Sequence, residues 1–254
     1  MLKKTLISWI ILASIVLVGC GSEQEIVNEG EQEGPKVTAG TTIKENSDIV
    51  SGCPDAEISW IDVLMINDIK YEGDDEGLPQ GETLEKGKQI GEVKYMLAGN
   101  ACSNHQLKNG DAAFLSAGTE IYELIGYNPD FRVVADNKVY QVSQNKKAKV
   151  VSEFLDIEGK VAKLSLESTY DGRHLSDFTE QATAEFIEDL LAQEYLGIDQ
   201  VYNNIKSDKR VFLRIHLKDG SSFRIVYWIK ENALNFGALG TEKMRDIVKD
   251  KIEN

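Results

Sequence analysis

What the sequence lacks narrows its chemistry before anything present is read. Among 254 residues there are three His and three Cys. None of His105, His174 and His216 has a second His or Cys at ligand spacing. Neither Cys53 nor Cys102 has one at zinc-finger spacing, so no metal site is expected. No G-x-S-x-G nucleophile elbow occurs. Ser143-Gln144-Asn145-Lys146 fits S-x-x-K, but the companion S-D-N and K-T-G motifs are absent, and chance supplies such a match. Gly237 and Gly240 precede Thr241 as a phosphate cradle precedes a helix. No Lys follows at P-loop spacing, so a helix entry turn is the reading. The sequence therefore offers no catalytic residue and implies no cofactor.

Basic residues are scarce too: 28 Lys and Arg stand against 42 Asp and Glu. That imbalance disfavours nucleic acid as a partner and direct contact with anionic lipid headgroups. Glu72-Gly73-Asp74-Asp75-Glu76 has the hard oxygen ligands that Ca²⁺ prefers. The ordered EF-hand spacing is missing, so a solvated acidic loop is expected.

Long apolar stretches are also missing. The run between Lys4 and Cys20 has fifteen residues, whereas a membrane-spanning helix needs about 20. Lys3 and Lys4 followed by Leu6 to Val18 have the form of a secretory signal, a basic region and then an apolar one. Its ending, Leu17-Val18-Gly19-Cys20, resembles the lipobox of bacterial lipoproteins, in which the chain is cut before a Cys that then carries lipid. The resemblance implies residues 1–19 as signal peptide, cleavage after Gly19, and diacylglycerol and a fatty acyl chain such as palmitate on Cys20. The protein would then be held at the cell membrane by lipid, on the extracytoplasmic face. Two or more acyl chains anchor stably, at about 0.8 kcal/mol per buried CH₂.

Without residues 1–19 the chain has 26 basic and 42 acidic residues and a formal charge of −16. Residues 20–50 read as the lipidated Cys and a tether. From Ser22 to Gly34 there are five Glu and no Lys or Arg, and such a stretch buries too little to order itself. If Cys20 carries lipid, Cys53 and Cys102 remain as an even pair in an oxidising compartment. A disulfide between them is expected, with two buried thiols as the alternative.

Residues 53–145 read as a β-rich module, a small barrel or sandwich. Strand candidates are Ile58–Ile66, Ile69–Tyr71, Ile90–Leu97, Ala112–Leu115, Thr119–Ile125, Arg132–Ala135 and Lys138–Val142. Turn signals such as Asn67-Asp68 and Asp136-Asn137 separate them. Gly118 to Leu124, Arg132-Val133-Val134 and Lys138-Val139-Tyr140 resemble the rhythm of an SH3-like barrel. Gln144 to Lys149 is polar and basic and is taken as the boundary.

Residues 150–254 read as an α+β module with one β-hairpin and two helices, which makes the whole chain α+β. Ile157–Glu167 is a long strand candidate. Asp177–Tyr195 has Ala182, Phe186, Ile187, Leu190 and Leu191 at helical spacing, with Asp177-Phe178-Thr179-Glu180 as a capping box and Thr179 as the rival cap. Thr241–Ile252 repeats the pattern, with Thr241 as cap and Met244, Ile247, Val248 and Ile252 facing inward. Arg210–Ile229 is a hairpin about Lys218-Asp219-Gly220. A three-residue loop with Gly220 left-handed pairs Leu217 with Ser221. Val211, Leu213 and Ile215 then lie opposite Tyr227, Ile225 and Phe223 on one apolar face.

The other face of that hairpin carries Phe212, Arg214, His216, Arg224, Val226 and Trp228. Arg214 and Arg224 fall nearly opposite each other, and like charges there cost energy unless an anion meets them. The anion is either internal, from the acidic face of the 177–195 helix or carboxylates such as Glu153 and Glu167, or a bound ligand. Arg214, His216 and Arg224 are thus the candidate ligand-binding residues.

Ser59 to Tyr71, Gly91-Glu92-Val93-Lys94-Tyr95, Asn109 to Leu115 and Gly126-Tyr127 are similar to uncharacterised lipoproteins of bacillus-type Gram-positive bacteria. The likeness implies location and no activity. The expected function is a non-enzymatic, lipid-anchored envelope protein that binds an envelope partner or a small ligand. A solute-binding lipoprotein and a cell-wall or peptide hydrolase are the alternatives.

Overall fold

The local chemistry of two short turns sets the first half of the molecule. Asn67 and Asp68 both have positive φ (54° and 65°), as do Asp136 and Asn137 (48° and 57°). Consecutive left-handed residues make the turn whose twist matches a two-residue hairpin, and Asn and Asp tolerate it best. The first turn joins β1 (Val63–Ile66) to β2 (Ile69–Gly73), and the second joins β7 (Arg132–Ala135) to β8 (Lys138–Asn145). The computed structural model describes residues 59–73 and 84–253, all within one compact unit, Ser47–Asn254.

With β3 (Lys86–Glu92), β4 (Tyr95–Met96), β5 (Asp111–Ala112) and β6 (Glu120–Leu124), these strands form an eight-stranded sheet ordered β3-β6-β7-β8-β2-β1-β5-β4. Glu92 and Tyr95 belong to strands at opposite ends of that order, yet only Val93 and Lys94 lie between them in the chain. The sheet must therefore curl until its ends meet. Val93 N–H donates to the Thr119 carbonyl (2.8 Å) and Lys94 N–H to that of Gly110 (2.7 Å) at the join.

The second half follows as α1 (Val151–Phe154), β9 (Val161–Glu167), β10 (His174–Asp177), α2 (Glu180–Leu191), α3 (Ile198–Tyr202), β11 (Arg210–Leu217), β12 (Ser222–Trp228), β13 (Ala233–Leu234), β14 (Ala238–Leu239) and α4 (Glu242–Glu253). The strands form a second sheet, ordered β10-β9-β11-β12-β13-β14. Two sheets with four helices among the described residues make the chain α+β and strand-rich. Where two helices are expected from the sequence, α1 and α3 are additional. With four and five residues they are too short to show a helical period.

One apolar cluster runs through both sheets. Ile69, Tyr71, Phe131 and Tyr140 of the first meet Leu164, Leu213, Ile215, Phe223 and Tyr227 of the second, with Phe186, Leu190, Met244 and Val248 from α2 and α4. Each such side chain contributes about 1.5–3 kcal/mol on burial. The cluster also includes Ala148 and Val151, so apolar packing continues through the stretch where the sequence places a boundary. Buried Arg132 adds a polar tie. Its guanidinium donates to Gln141 Oε1 (3.0 and 2.8 Å) and to Ser221 Oγ at the hairpin turn (2.7 Å).

Several element ends differ from expectation for local reasons. The first strand starts at Val63, with Gly73 N–H still donating to the Asp62 carbonyl (2.8 Å) before it and the Asp62 carboxylate taking Lys138 Nζ (2.7 Å) and the Tyr140 hydroxyl (3.2 Å). Ile157–Lys160 is a turn with Gly159 at φ 69° instead of the start of β9. Helix α2 begins after Thr179, whose Oγ1 accepts from Ala182 N–H (3.1 Å), while Asp177 belongs to β10. Met244 and Val248 of α4 are buried as expected, but Ile252 is exposed.

Candidate functional site

The hairpin β11–β12 closes as its loop chemistry dictates. Gly220 has φ 84°, Leu217 N–H donates to the Ser221 carbonyl (2.8 Å), and Asp219 Oδ1 accepts from Ser221 N–H (2.9 Å). Val211 pairs Tyr227, Leu213 pairs Ile225, and Ile215 pairs Phe223. That register turns the apolar set to the core and places Arg214 opposite Arg224. Strand β9 pairs on the other side of β11 and sets Ser165 beside Arg214, Glu167 beside Phe212 and Lys163 beside His216.

The anion that the two arginines require is Glu167. Arg214 Nε donates to its Oε1, and Arg224 Nε to its Oε2 at 2.5 Å. The Glu167 side chain is 5% exposed, against 12% for Arg214 and 31% for Arg224. Arg214 Nη1 also donates to Ser222 Oγ (3.2 Å), and Arg224 Nη2 to the Gly172 carbonyl (3.4 Å). A Cβ on Gly172 would stand 2.6 Å from Arg224 Nη2, and its φ is 73°, so this position suits glycine on two grounds. Of the other internal candidates, Glu153 accepts from Lys149 N–H instead.

His216 lies on the same face but serves another contact. Its Nε2 is 2.7 Å from Ser165 Oγ. Burial holds its pKa below the usual histidine value, and the positive charges of Lys163 and Arg214 act in the same direction. Ser165 is fully buried. At the outer edge Asp177 pairs with Lys163 (3.0 Å) and His174 (2.7 Å). Those two hydrogen bonds hold its carboxyl below the ordinary value.

Arg214 and Arg224 also reach a groove of about 720 Å³ along β12. Lys70 and Glu72 of β2 and Gln141 and Ser143 of β8 form the opposite wall, and Phe154 and Phe236 supply aromatic surface. His216 does not line it. The structure thus joins two of the three candidate residues at one cavity and assigns the third to Ser165. Sequence reading did not single out Ser165, Lys70 or Gln141. The alternation Lys163, Ser165, Glu167 against Leu164 and Leu166 carried the signal for the first. The other two come from a distant part of the chain.

The remaining candidates resolve one by one. Gly237, with φ 107°, lies against backbone: a Cβ there would be 2.3 Å from the Gly197 carbonyl carbon, and its carbonyl accepts from Leu196 N–H (2.8 Å). Its glycine serves this close approach. Thr241 Oγ1 caps α4 at Met244 N–H (3.1 Å). Glu72 pairs with Lys70 (3.1 Å), and Asp74, Asp75 and Glu76 lie outside the described residues. So do Gly19, Cys20, the tether and Cys53. Cys102 is half-buried beside a small cluster in which Trp60 packs against Val63, Leu97 and Ala101. Among the described residues no group of three or more His, Cys, Asp or Glu could hold a metal ion, and no helix is long and apolar enough to cross a membrane. No protein-family model, curated protein or solved structure matches this chain.

Proposed function

We propose that this chain is a lipid-anchored protein of the extracytoplasmic face of a cell membrane, and that its described part is a non-enzymatic binding module holding its ligand in the groove along β12. The observation that carries the binding reading is the groove itself. A concave site of about 720 Å³ combines aromatic surface with Arg, Lys, carboxylate and amide groups, the composition of a ligand pocket. Against Ser165 and His216 as a hydrolytic pair stands the full burial of Ser165. The lipobox-like Leu17 to Cys20 supports the anchor. In this reading the curled sheet is a small barrel, and the second sheet with its helices is the α+β part.

Two experiments test this. Cys20→Ala should move the full chain from the membrane fraction to the soluble fraction and abolish incorporation of labelled palmitate; unchanged partitioning contradicts the anchor. For the groove, thermal unfolding of the full chain in detergent is followed against a panel of short peptides, amino acids and saccharides. A groove ligand at 100 times its Kd stabilises by about 2.7 kcal/mol, and the groove-filling Ser143→Trp should remove that shift. No shift from any class, or one indifferent to Ser143→Trp, contradicts the groove as the binding site.

A further inference from the structure

We propose that the chain has a second ligand site, a cavity beside α2 that takes an organic ammonium ion with an apolar body. The cavity holds about 650 Å³, within the range of small-molecule sites. It shares no lining residue with the groove along β12. Its α2 wall follows from helical spacing. Glu180, Ala184 and Glu188 recur a turn apart, and Thr183, Ile187 and Leu191 recur beside them, so two adjacent rows share one face. The rest of the lining includes Glu158 and Gly159 of the turn before β9, Val161 of β9 and Lys218 of the hairpin loop. Lys218 Nζ donates to the Gly159 carbonyl (2.7 Å), and Lys218 N–H to that of Lys160 (2.8 Å), which ties the loop to the turn.

Thr183 marks the cavity as more than a dent in the surface. It lines the cavity, is 7% exposed, and its Oγ1 is buried with no hydrogen-bond partner. A Thr inside a helix is satisfied by solvent or by the carbonyl four residues earlier; Thr183 has neither. A buried hydroxyl of this kind calls for a partner. A helical Thr has two accessible χ1 rotamers, so its oxygen can turn to a donor held in the cavity. Ile187 and Leu191, 8% and 9% exposed, and half-buried Val161 supply the apolar surface.

Charge selects a cation. The charged residues lining the cavity are Glu158, Glu180, Glu188 and Lys218. Three carboxylates against one ammonium leave two negative charges in excess. None of the three has a hydrogen bond or ion pair among the described residues, and Lys218 gives its ammonium to a neutral carbonyl. Exposed glutamates alone make an ordinary solvated face. Here they line a concavity with an apolar floor and a buried hydroxyl that lacks a partner. An ammonium group meets the excess charge while its apolar body covers Val161, Ile187 and Leu191. Glu180 also stands in the first turn of α2, where the helix dipole favours it. Glu158 and Glu188 are therefore the carboxylates to vary.

The test titrates the full chain in detergent with tryptamine, its alcohol analogue tryptophol, and indolepropionate, by calorimetry against detergent alone. Tryptamine should bind about tenfold or more tightly than tryptophol, and indolepropionate should not bind. Glu158→Gln combined with Glu188→Gln should weaken tryptamine about tenfold and leave tryptophol unchanged. Ala184→Trp, at an exposed helix position, fills the cavity and should abolish binding of both. Ser143→Trp, in the groove along β12, should change neither. Equal affinity for the amine and the alcohol overturns the ammonium reading, and so does an absence of tryptamine binding. Binding that survives Ala184→Trp, or is lost with Ser143→Trp, overturns this cavity as the site; the second result leaves the groove reading intact. The three probes differ in their terminal group, so their comparison reads out whether or not a protein variant folds.

Discussion

Arg224 Nε lies 2.5 Å from Glu167 Oε2, while the other oxygen of that carboxylate takes Arg214. The pairing explains how two arginines can face each other across β11 and β12. It also places a nearly buried charge whose loss the fold should register.

Glu167→Gln removes a nearly buried negative charge from between two guanidiniums. Removing one partner from a buried pair costs about 3–5 kcal/mol, read as a lower urea midpoint. Lys163→Ala breaks a pair nearly half-exposed on both sides and should cost no more than about 1 kcal/mol. Equal effects of the two changes would contradict the assignment of Glu167 as a buried bridge.

His216 gives a pH signature. Burial and the neighbouring Lys163 and Arg214 hold its folded pKa below the ordinary value, which is near 6.5 in an unfolded chain. The unfolded state therefore binds the proton more readily. The stability due to this group is complete above the unfolded value and is lost as pH falls through it toward the folded one. The urea midpoint of the native chain minus that of His216→Asn should decline over that window and level off below it. A difference that rises on acidification contradicts the sign.

Gly237→Ala should cost about 3 kcal/mol or more, since a left-handed non-glycine residue is strained and its Cβ would meet the Gly197 backbone at 2.3 Å. Gly99→Ala, at φ 74° with nothing within 4 Å, should cost only about 1–2 kcal/mol. Thermal denaturation of the two variants separates close approach from backbone conformation.

A Cys53–Cys102 bridge, proposed from the cysteine arithmetic, should leave both residues closed to alkylation until reduction. Opening it should cost about 4 kcal/mol. Alkylation of unreduced, folded protein at either position, mapped by mass spectrometry, contradicts it.

What the sequence made legible follows from the range of each signal. The hairpin register was readable because Lys218-Asp219-Gly220 admits a loop that leaves one face apolar, and the same register put Arg214 opposite Arg224. The cap Thr241 and the turns at Asn67-Asp68 and Asp136-Asn137 are equally local, whereas Thr179 was only the rival to Asp177 as cap, because the pairing that draws Asp177 into β10 is not local. The curl of the first sheet was not readable, because it depends on Val93 and Lys94 bonding to Thr119 and Gly110 across distant parts of the chain. Nor was the groove, whose walls come from β2, β8, α1 and β12. Glu167 was legible as one of several internal carboxylates, beside Glu153 and the acidic helix face, and pairing of β9 with β11 singled it out.

The groove along β12 is tested most directly by thermal unfolding of the full chain in detergent against the panel of short peptides, amino acids and saccharides. The groove as binding site predicts a stabilising shift from at least one class that Ser143→Trp removes. No shift from any class, or a shift that survives Ser143→Trp, would contradict it.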